Sequence, residues 1–249
     1  MYLTTRGLVL RVSDYSDHDA LLTLLTKEYG RLTVKARGLR RKNSPLVAPC
    51  QLLAFGEFTL FEYRDMYSVN EAHSIELFQG LRRDLLKLSL GTYFAQAAEV
   101  LSLEDMPGGE LLSLVLNCLY ALSKLDESVD KIKAVFELRA ACLAGYEPDL
   151  YGCHICGCET PDRFDVSAGV LECRNCRDQE SEGLRMPVTP GILAAMRYIV
   201  GCDAKRLLAF TVGPENIHAL AQITETYFTT QLERGFSTLD FYKSLLLPQ

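Results

Sequence analysis

The sequence predicts an α+β chain: a small N-terminal β-barrel, then an α-helical domain interrupted by a four-cysteine ribbon. Three observations carry this. Short alternating or apolar runs separated by turn residues fill the first ~75 positions. A three-to-four apolar periodicity takes over beyond them. Two Cys-x-x-Cys pairs then cut into that helical pattern at Cys153/Cys156 and Cys173/Cys176.

The strand-like runs are 3–12 (LTTRGLVLRV), 20–26 (ALLTLLT), 31–36, 51–62 (QLLAFGEFTLFE) and 66–73, with Tyr29-Gly30 as a tight link. Five strands in so few residues suggest a small barrel or sandwich, and a basic flank fits an OB-fold, which binds single strands along a face and its loops. From Ile75 to Leu103 the apolar residues Leu77, Phe78, Leu81, Leu85, Leu88, Leu90, Phe94, Ala97 and Leu101 predict a helix, broken at Pro107-Gly108-Gly109. Helices are expected at 110–125 and 129–146. Thr189-Pro190 supplies an N-cap and a first-turn proline for further helices at 190–200, 203–208 and 214–234, with a last turn near 239–246. The expected division is 1–78 for the barrel, 79–150 with 187–249 for the helical domain, and 151–186 for the ribbon.

Nine cysteines, an odd number, argue against a disulfide framework and for a reducing compartment. Cys153, Cys156, Cys173 and Cys176 match the spacing of a zinc site, in which each CxxC turn presents two thiolates to one side. Gly157 allows the first knuckle to turn, and RFDVSAGVLEC reads as a hairpin through Ala168-Gly169. Four cysteines leave no open position for a catalytic water, so one structural Zn2+ per chain is expected. Cys158 and His154 are neighbours able to substitute, although the 153/156 spacing alone completes the set. Cys50, Cys118, Cys142 and Cys202 sit among apolar residues, as core side chains do.

The chain has 249 residues, with Lys+Arg 26 against Asp+Glu 32, a net charge of −6. The charge is unevenly placed. Between Lys27 and Lys42 stand seven basic residues and one acid, Glu28. Arg37, Arg40, Arg41 and Lys42 fall in a stretch punctuated by Gly38 and Asn43-Ser44-Pro45, a loop that repels itself unless a polyanion approaches. Its bland alternative is a solvated surface loop. The expected phosphate contacts are Arg6, Arg11, Lys27, Arg31, Lys35, Arg37, Arg40, Arg41 and Lys42. Arg6 and Arg11 differ in parity along the first strand, which puts them on opposite faces. No apolar run is long enough for a membrane helix, and MYLTTRGLVLRVSDY does not read as a signal peptide. Neither a G-x-x-x-x-G-K-[ST] phosphate loop nor H-E-x-x-H occurs. Asp14, Asp17, His18 and Asp19 form the one cluster suited to catalysis, holding magnesium or simply bonding a polar turn.

These residues resemble a known family. G-L-V-L, then D-Y-S-D-H-D-A-L-L-T-L-L-T, Y-G-R-L-T-V-K-A-R-G-L-R-R and S-P-L-V-A-P-C-Q-L look like the amino-terminal domain of the bacterial DNA repair protein RecO family. A-V-F-E-L-R-A-A-C-L-A-G-Y-E-P-D-L with C-H-I-C-G, and the late L-E-R-G-F-S-T-L-D-F, resemble that family's helix, zinc module and closing segment. His18 stands where an acidic or polar residue is expected.

The resemblance implies recombinational repair in the cytoplasm, at the nucleoid, without catalysis of bond breaking. It implies binding of single- and double-stranded DNA, annealing of complementary strands, and contact with the acidic C-terminal tail of single-stranded-DNA-binding protein. With RecR, such proteins help RecA replace that protein on DNA. An acidic, apolar tail needs an apolar pocket rimmed by cations. Lys131, Lys133, Val135 and Arg139, near-neighbours on one expected helix, offer such a rim, and Lys124, Phe136 and Leu138 lie close by. Two other classes fit the residues: a metal-dependent nuclease using the Asp14–Asp19 cluster, and a zinc-ribbon adaptor that binds proteins alone.

Overall fold

The computed structural model describes residues 1–64, 66–176 and 183–247. Five strands, β1 (Tyr2–Asp14), β2 (Ala20–Thr26), β3 (Arg31–Ala36), β4 (Phe55–Tyr63) and β5 (Met66–Glu76), close into a barrel of order β1-β2-β3-β5-β4. All pairings are antiparallel except β3 with β5, where Val34 lies opposite Tyr67 and Lys35 opposite Ser68. Strand number, order and the single parallel pair are those of an OB-like barrel. Its interior is an alternating set that includes Val9, Leu22, Leu24, Val34, Phe58, Leu60 and Val69.

Local chemistry sets the turns. The backbone of Gly30 has φ +62, and a Cβ there would stand 2.2 Å from the Met106 carbonyl oxygen and 2.4 Å from that of Leu103. No other residue fits this link between β2 and β3. A bulge between Val9 and Arg11 shifts the β1–β2 register by one. Arg6 and Arg11 both project to the outside, and the parity difference expected along an unbroken strand is cancelled.

The helix expected from Ile75 begins later. Strand β5 pairs with β4 as far as Glu76, opposite Phe55. Phe78 then adopts φ 45, a short 3-10 turn follows at Leu81–Arg83, and α1 runs over Leu85–Leu101. Asp84 caps it, its carboxylate accepting the Leu86 and Lys87 N–H groups at 2.9 and 3.1 Å. The ladder to β4 overrides the helical periodicity at 75–76, and the Glu76 carboxylate then accepts the Leu77 and Phe78 N–H groups at 3.0 and 2.8 Å, turning the chain before α1. The strand expected from Gln51 likewise starts at Phe55, because Leu53 (φ 63) turns the chain first. The helix expected at 203–208 shrinks to a 3-10 turn at Ala204–Arg206.

The chain forms two compact units, Met1–Leu125 with Phe236–Gln249, and Asp126–Gly235. The first joins the barrel to α1, α2 (Gly109–Lys124) and, from far along the chain, α6 (Ser237–Ser244). Tyr93 of α1 meets Phe236 edge-on at 5.5 Å between ring centroids. The second holds α3 (Val129–Leu143), α4 (Pro190–Gly201), α5 (Pro214–Gln231) and the cysteine ribbon. The ribbon's sheet has the order β6-β8-β7-β9, from β6 (Asp149–Cys153), β7 (Arg163–Asp165), β8 (Val170–Glu172) and β9 (Arg185–Pro187). The helical stretches are thus shared between the units rather than gathered into one body. No helix among the described residues is long and apolar enough to cross a membrane.

Candidate nucleic-acid interface and metal centre

The four cysteines converge. The Sγ atoms of Cys153, Cys156, Cys173 and Cys176 all lie within 4.8 Å of one another, and Cys156 and Cys173 are 3.7 Å apart. A tetrahedron built on Zn–S bonds of ~2.3 Å has edges of about 3.8 Å, so a metal ion fits among the four sulfurs. Gly157 takes φ +71 and donates its N–H to the Cys153 carbonyl at 2.8 Å, closing the first knuckle. The expected hairpin is present: β7 and β8 pair antiparallel around Gly169 at φ +69. Asp165 shapes that turn, its Oδ1 accepting the Ser167 and Ala168 N–H groups at 2.9 and 3.0 Å. Burial pushes the Cys153 thiol up, but the N–H groups of Cys156, Ile155 and Cys173 more than compensate and hold it near 6, whereas the sulfurs of Cys156 and Cys173 push Cys176 up, as crowded thiols do. The two neighbours stay outside the cluster. Cys158 turns to Thr160 Oγ1 at 3.4 Å, and His154 Nε2 faces Glu172 at 3.5 Å.

On the barrel, the nine expected phosphate contacts divide by their partners. Five are engaged with carboxylates. Arg6 is 3.7 Å from Glu57, Arg11 3.0 Å from Glu99, Arg31 3.3 Å from Glu104 and Lys35 3.0 Å from Asp19, and Arg40 pairs with Asp14. Arg31 also donates to the Glu99 carbonyl at 2.9 Å, which fixes it to α1. The exposed Lys27, Arg37, Arg41 and Lys42 have no ion-pair partner among the described residues.

The Asp14–Asp19 cluster makes structural contacts. Asp19 accepts the Gly38 N–H and holds Lys35, and these bonds keep its carboxyl below the usual carboxylate range. The His18 carbonyl accepts the Arg40 N–H at 3.1 Å. The turn between β1 and β2 therefore pins the start of the basic loop that follows β3. The Cys quartet is the one potential metal-holding group of His, Cys, Asp and Glu side chains among the described residues. The nuclease reading of the cluster is not favoured.

The expected cation rim on α3 is overturned. Val135 is fully buried and Lys133 is nearly so. Lys133 lies 2.9 Å from Glu137 and 2.8 Å from Glu225. Lys131 is held by Glu127 at 3.0 Å and lies over the Phe210 ring. Arg139 donates to the Val200 carbonyl at 2.6 Å. The helical repeat that suggested a groove is largely the packing face of α3: Lys133 neutralises the buried Glu137, Lys131 pairs with the half-exposed Glu127, and Arg139 serves backbone carbonyls.

Sequence reasoning passed over the exposed aromatic residues of the barrel. Tyr2, Tyr15, Phe61 and Tyr63 all show substantial surface. Outward parity next to buried neighbours, as for Phe61 beside Leu60, is the signal that marks them.

Comparison with known proteins decides the family. The model described as "Recombination protein O N terminal" matches residues 1–78, and that described as "Recombination protein O C terminal" matches residues 82–240. The chain belongs to the RecO family. A DNA repair protein RecO of Acetivibrio thermocellus is 35% identical over 247 residues, 98% of this chain and 97% of its own length. One from Heliobacterium modesticaldum is 34% identical over 230 residues, covering 89% and 82%. One from Alkaliphilus metalliredigens is 29% identical over 248 residues, covering 98% and 100%. As a RecO-family chain, this is a DNA repair and recombination protein with an OB-like N-terminal barrel.

Proposed function

We propose that the chain binds single- and double-stranded DNA through the barrel of residues 1–78 and anneals complementary strands without breaking a bond. The observation that carries this is the set of exposed, unpaired cations Lys27, Arg37, Arg41 and Lys42 on the loops of an OB-like barrel in an otherwise acidic chain. Annealing needs the charge of two strands neutralised, not a nucleophile. The five paired basic residues serve mainly to position the loops, and the four free ones meet phosphate. In this reading the four-cysteine cluster holds one structural Zn2+, with the protein in the cytoplasm at the nucleoid. The wider role is that implied by the resemblance: contact with the acidic tail of single-stranded-DNA-binding protein and, together with RecR, help in loading RecA.

The test is an annealing assay with purified protein, dye-labelled complementary strands and no nucleotide. Pairing faster than in protein-free controls, lost at high salt, is expected. No acceleration at low salt overturns the reading. Magnesium-dependent strand cutting, abolished by Asp19→Asn, would bring back the nuclease.

A further inference from the structure

Aromatic side chains on the outer wall of the barrel form a row that joins its cationic end. Cross-strand pairing places Lys35 of β3 opposite Ser68 of β5, Ser68 opposite Phe61 of β4, and Phe61 opposite Tyr2 of β1. These four residues therefore lie side by side across four strands, and parity turns them all outward. The rings of Tyr2 and Phe61 are 5.2 Å apart and tilted at 53°. Tyr63 follows on the same face of β4, opposite Met66, and is 58% exposed. The Arg64 guanidinium lies 5.1 Å from the Tyr63 ring centroid, and Lys35 Nζ lies 4.3 Å from that of Tyr15.

A contiguous row of exposed rings, unlike a lone exposed ring, marks a binding face. The chemistry beside these rings selects the partner. Arg64 lies at the Tyr63 end, and Arg37 follows Lys35 by two positions, at the start of the loop bearing Arg41 and Lys42. Of the carboxylates on these strands, Glu57 pairs with Arg6 at 3.7 Å, Glu71 accepts a hydrogen bond from His73 at 3.1 Å, and Glu62, between Phe61 and Tyr63, has the opposite parity. Flat π-faces in a row, with cations along one end, suit unstacked bases whose backbone tracks the cations. A duplex keeps its bases stacked on one another and cannot use these faces.

We propose that Tyr2, Phe61 and Tyr63 form a base-stacking platform for single-stranded nucleic acid, separate from the phosphate contacts of the basic loop. This deepens the DNA-binding reading and rests on it. The division of labour is between terms: the loop supplies the salt-dependent, strand-indifferent attraction, and the row supplies a salt-insensitive preference for single strands.

The experiment compares the protein with Phe61→Thr and Tyr63→Thr, singly and together. Threonine suits an exposed strand position. Binding to fluorescein-labelled oligothymidylate and to a duplex is followed across a salt series. Each substitution is expected to weaken oligothymidylate binding roughly tenfold, leaving the salt slope and the duplex affinity unchanged. Independently of any variant, an oligonucleotide carrying 5-iodouracil should crosslink to Tyr2, Phe61 or Tyr63 on irradiation, the site being read by mass spectrometry. Single-strand affinity unchanged in folded variants, with crosslinks confined to other residues, overturns the platform while DNA binding stands. Equal loss for duplex and single strand also overturns it. Failure of the unmodified protein to bind either nucleic acid at low salt removes the underlying reading as well.

Discussion

The carboxylate of Asp19, in the turn between β1 and β2, accepts the backbone N–H of Gly38, nineteen residues further on, at 2.9 Å. Its other oxygen holds Lys35 at 3.0 Å. One side chain thus ties the end of β3 and the entry to the basic loop to the neighbouring turn. Because these bonds lower the Asp19 pKa, the stability they supply is full above the ordinary carboxylate range and is lost as pH falls through the lowered value. Asp19→Asn retains an acceptor for Gly38 but loses the ion pair, whereas Asp19→Ala loses both. Proteolysis of the loop should rise in the order native, Asn, Ala. Equal cleavage of all three would remove Asp19 from this role.

The salt dependence of DNA binding should locate the phosphate contacts. Each cation that neutralises a phosphate on a single strand contributes about −0.7 to the slope of log K against log salt. Replacing Arg37, Arg41 and Lys42 by alanine should therefore flatten the slope by about 2, weakening different sequences alike. Arg40→Ala should change it little, since Asp14 already engages that guanidinium. A slope unchanged in the folded triple variant moves the phosphate site off this loop.

Metal analysis of freshly purified, reduced protein should find one zinc per chain. Apparent binding energies of structural zinc in cysteine sites are about 10–16 kcal/mol, so Cys173→Ser should sharply reduce soluble yield. Cys158→Ser and His154→Ala should retain the metal in full, because both side chains meet other partners and lie outside the four-sulfur cluster. Loss of zinc in either would rewrite the ligand set.

The buried group on α3 and α5 should give an acid-side gain in stability. Burial pushes Glu137 up to about 7, against the pull of Lys133, while Thr224 donates to it at 3.0 Å. Burial disfavours the Lys133 charge too, but Glu137 and Glu225 raise its pKa overall. Between pH ~4.5 and ~7 the folded chain holds a proton on Glu137 that the unfolded chain has released. Stability then falls as pH rises through this window, by up to about 3 kcal/mol at ~1.4 kcal/mol per pH unit. Lys133 does not offset this, since both states keep it charged there. Denaturant melts at pH 5 and pH 8 should show the difference, and Glu137→Gln should abolish it. Lys133→Met, which takes the cation from the buried Glu137 and the half-buried Glu225, should cost about 3–5 kcal/mol at pH 8.

Much of the architecture was readable because its signals are local. CxxC spacing, the Ala168-Gly169 turn and the Thr189-Pro190 start each specify their own geometry within a few residues. The barrel strands were readable because alternation survives in most of them. What escaped depended on distant partners. Nothing in residues 75–84 announces that β4 will pair with the chain through Glu76. The bulge at Val9–Arg11 restores Arg11 to the outer face through its register with β2. Lys133 and Arg139 look like free cations until Glu225 and the Val200 carbonyl are brought to them. Of the basic residues on the barrel, the sequence displays the charge, and only the fold displays which charges are already spent.

Helix α6 reaches the barrel unit only after the intervening Asp126–Gly235 has been made. At ~5–20 residues per second, a ribosome takes roughly 5–20 seconds to extrude that stretch. For that interval Tyr93 waits for the Phe236 ring it packs against, and a site on α1 stands open on the nascent chain. The unit that carries the four-cysteine cluster is uninterrupted in sequence and has no such delay. Newly made chains should therefore be most vulnerable to aggregation through α1, and a ribosome stalled shortly before Phe236 should expose that face to chaperones.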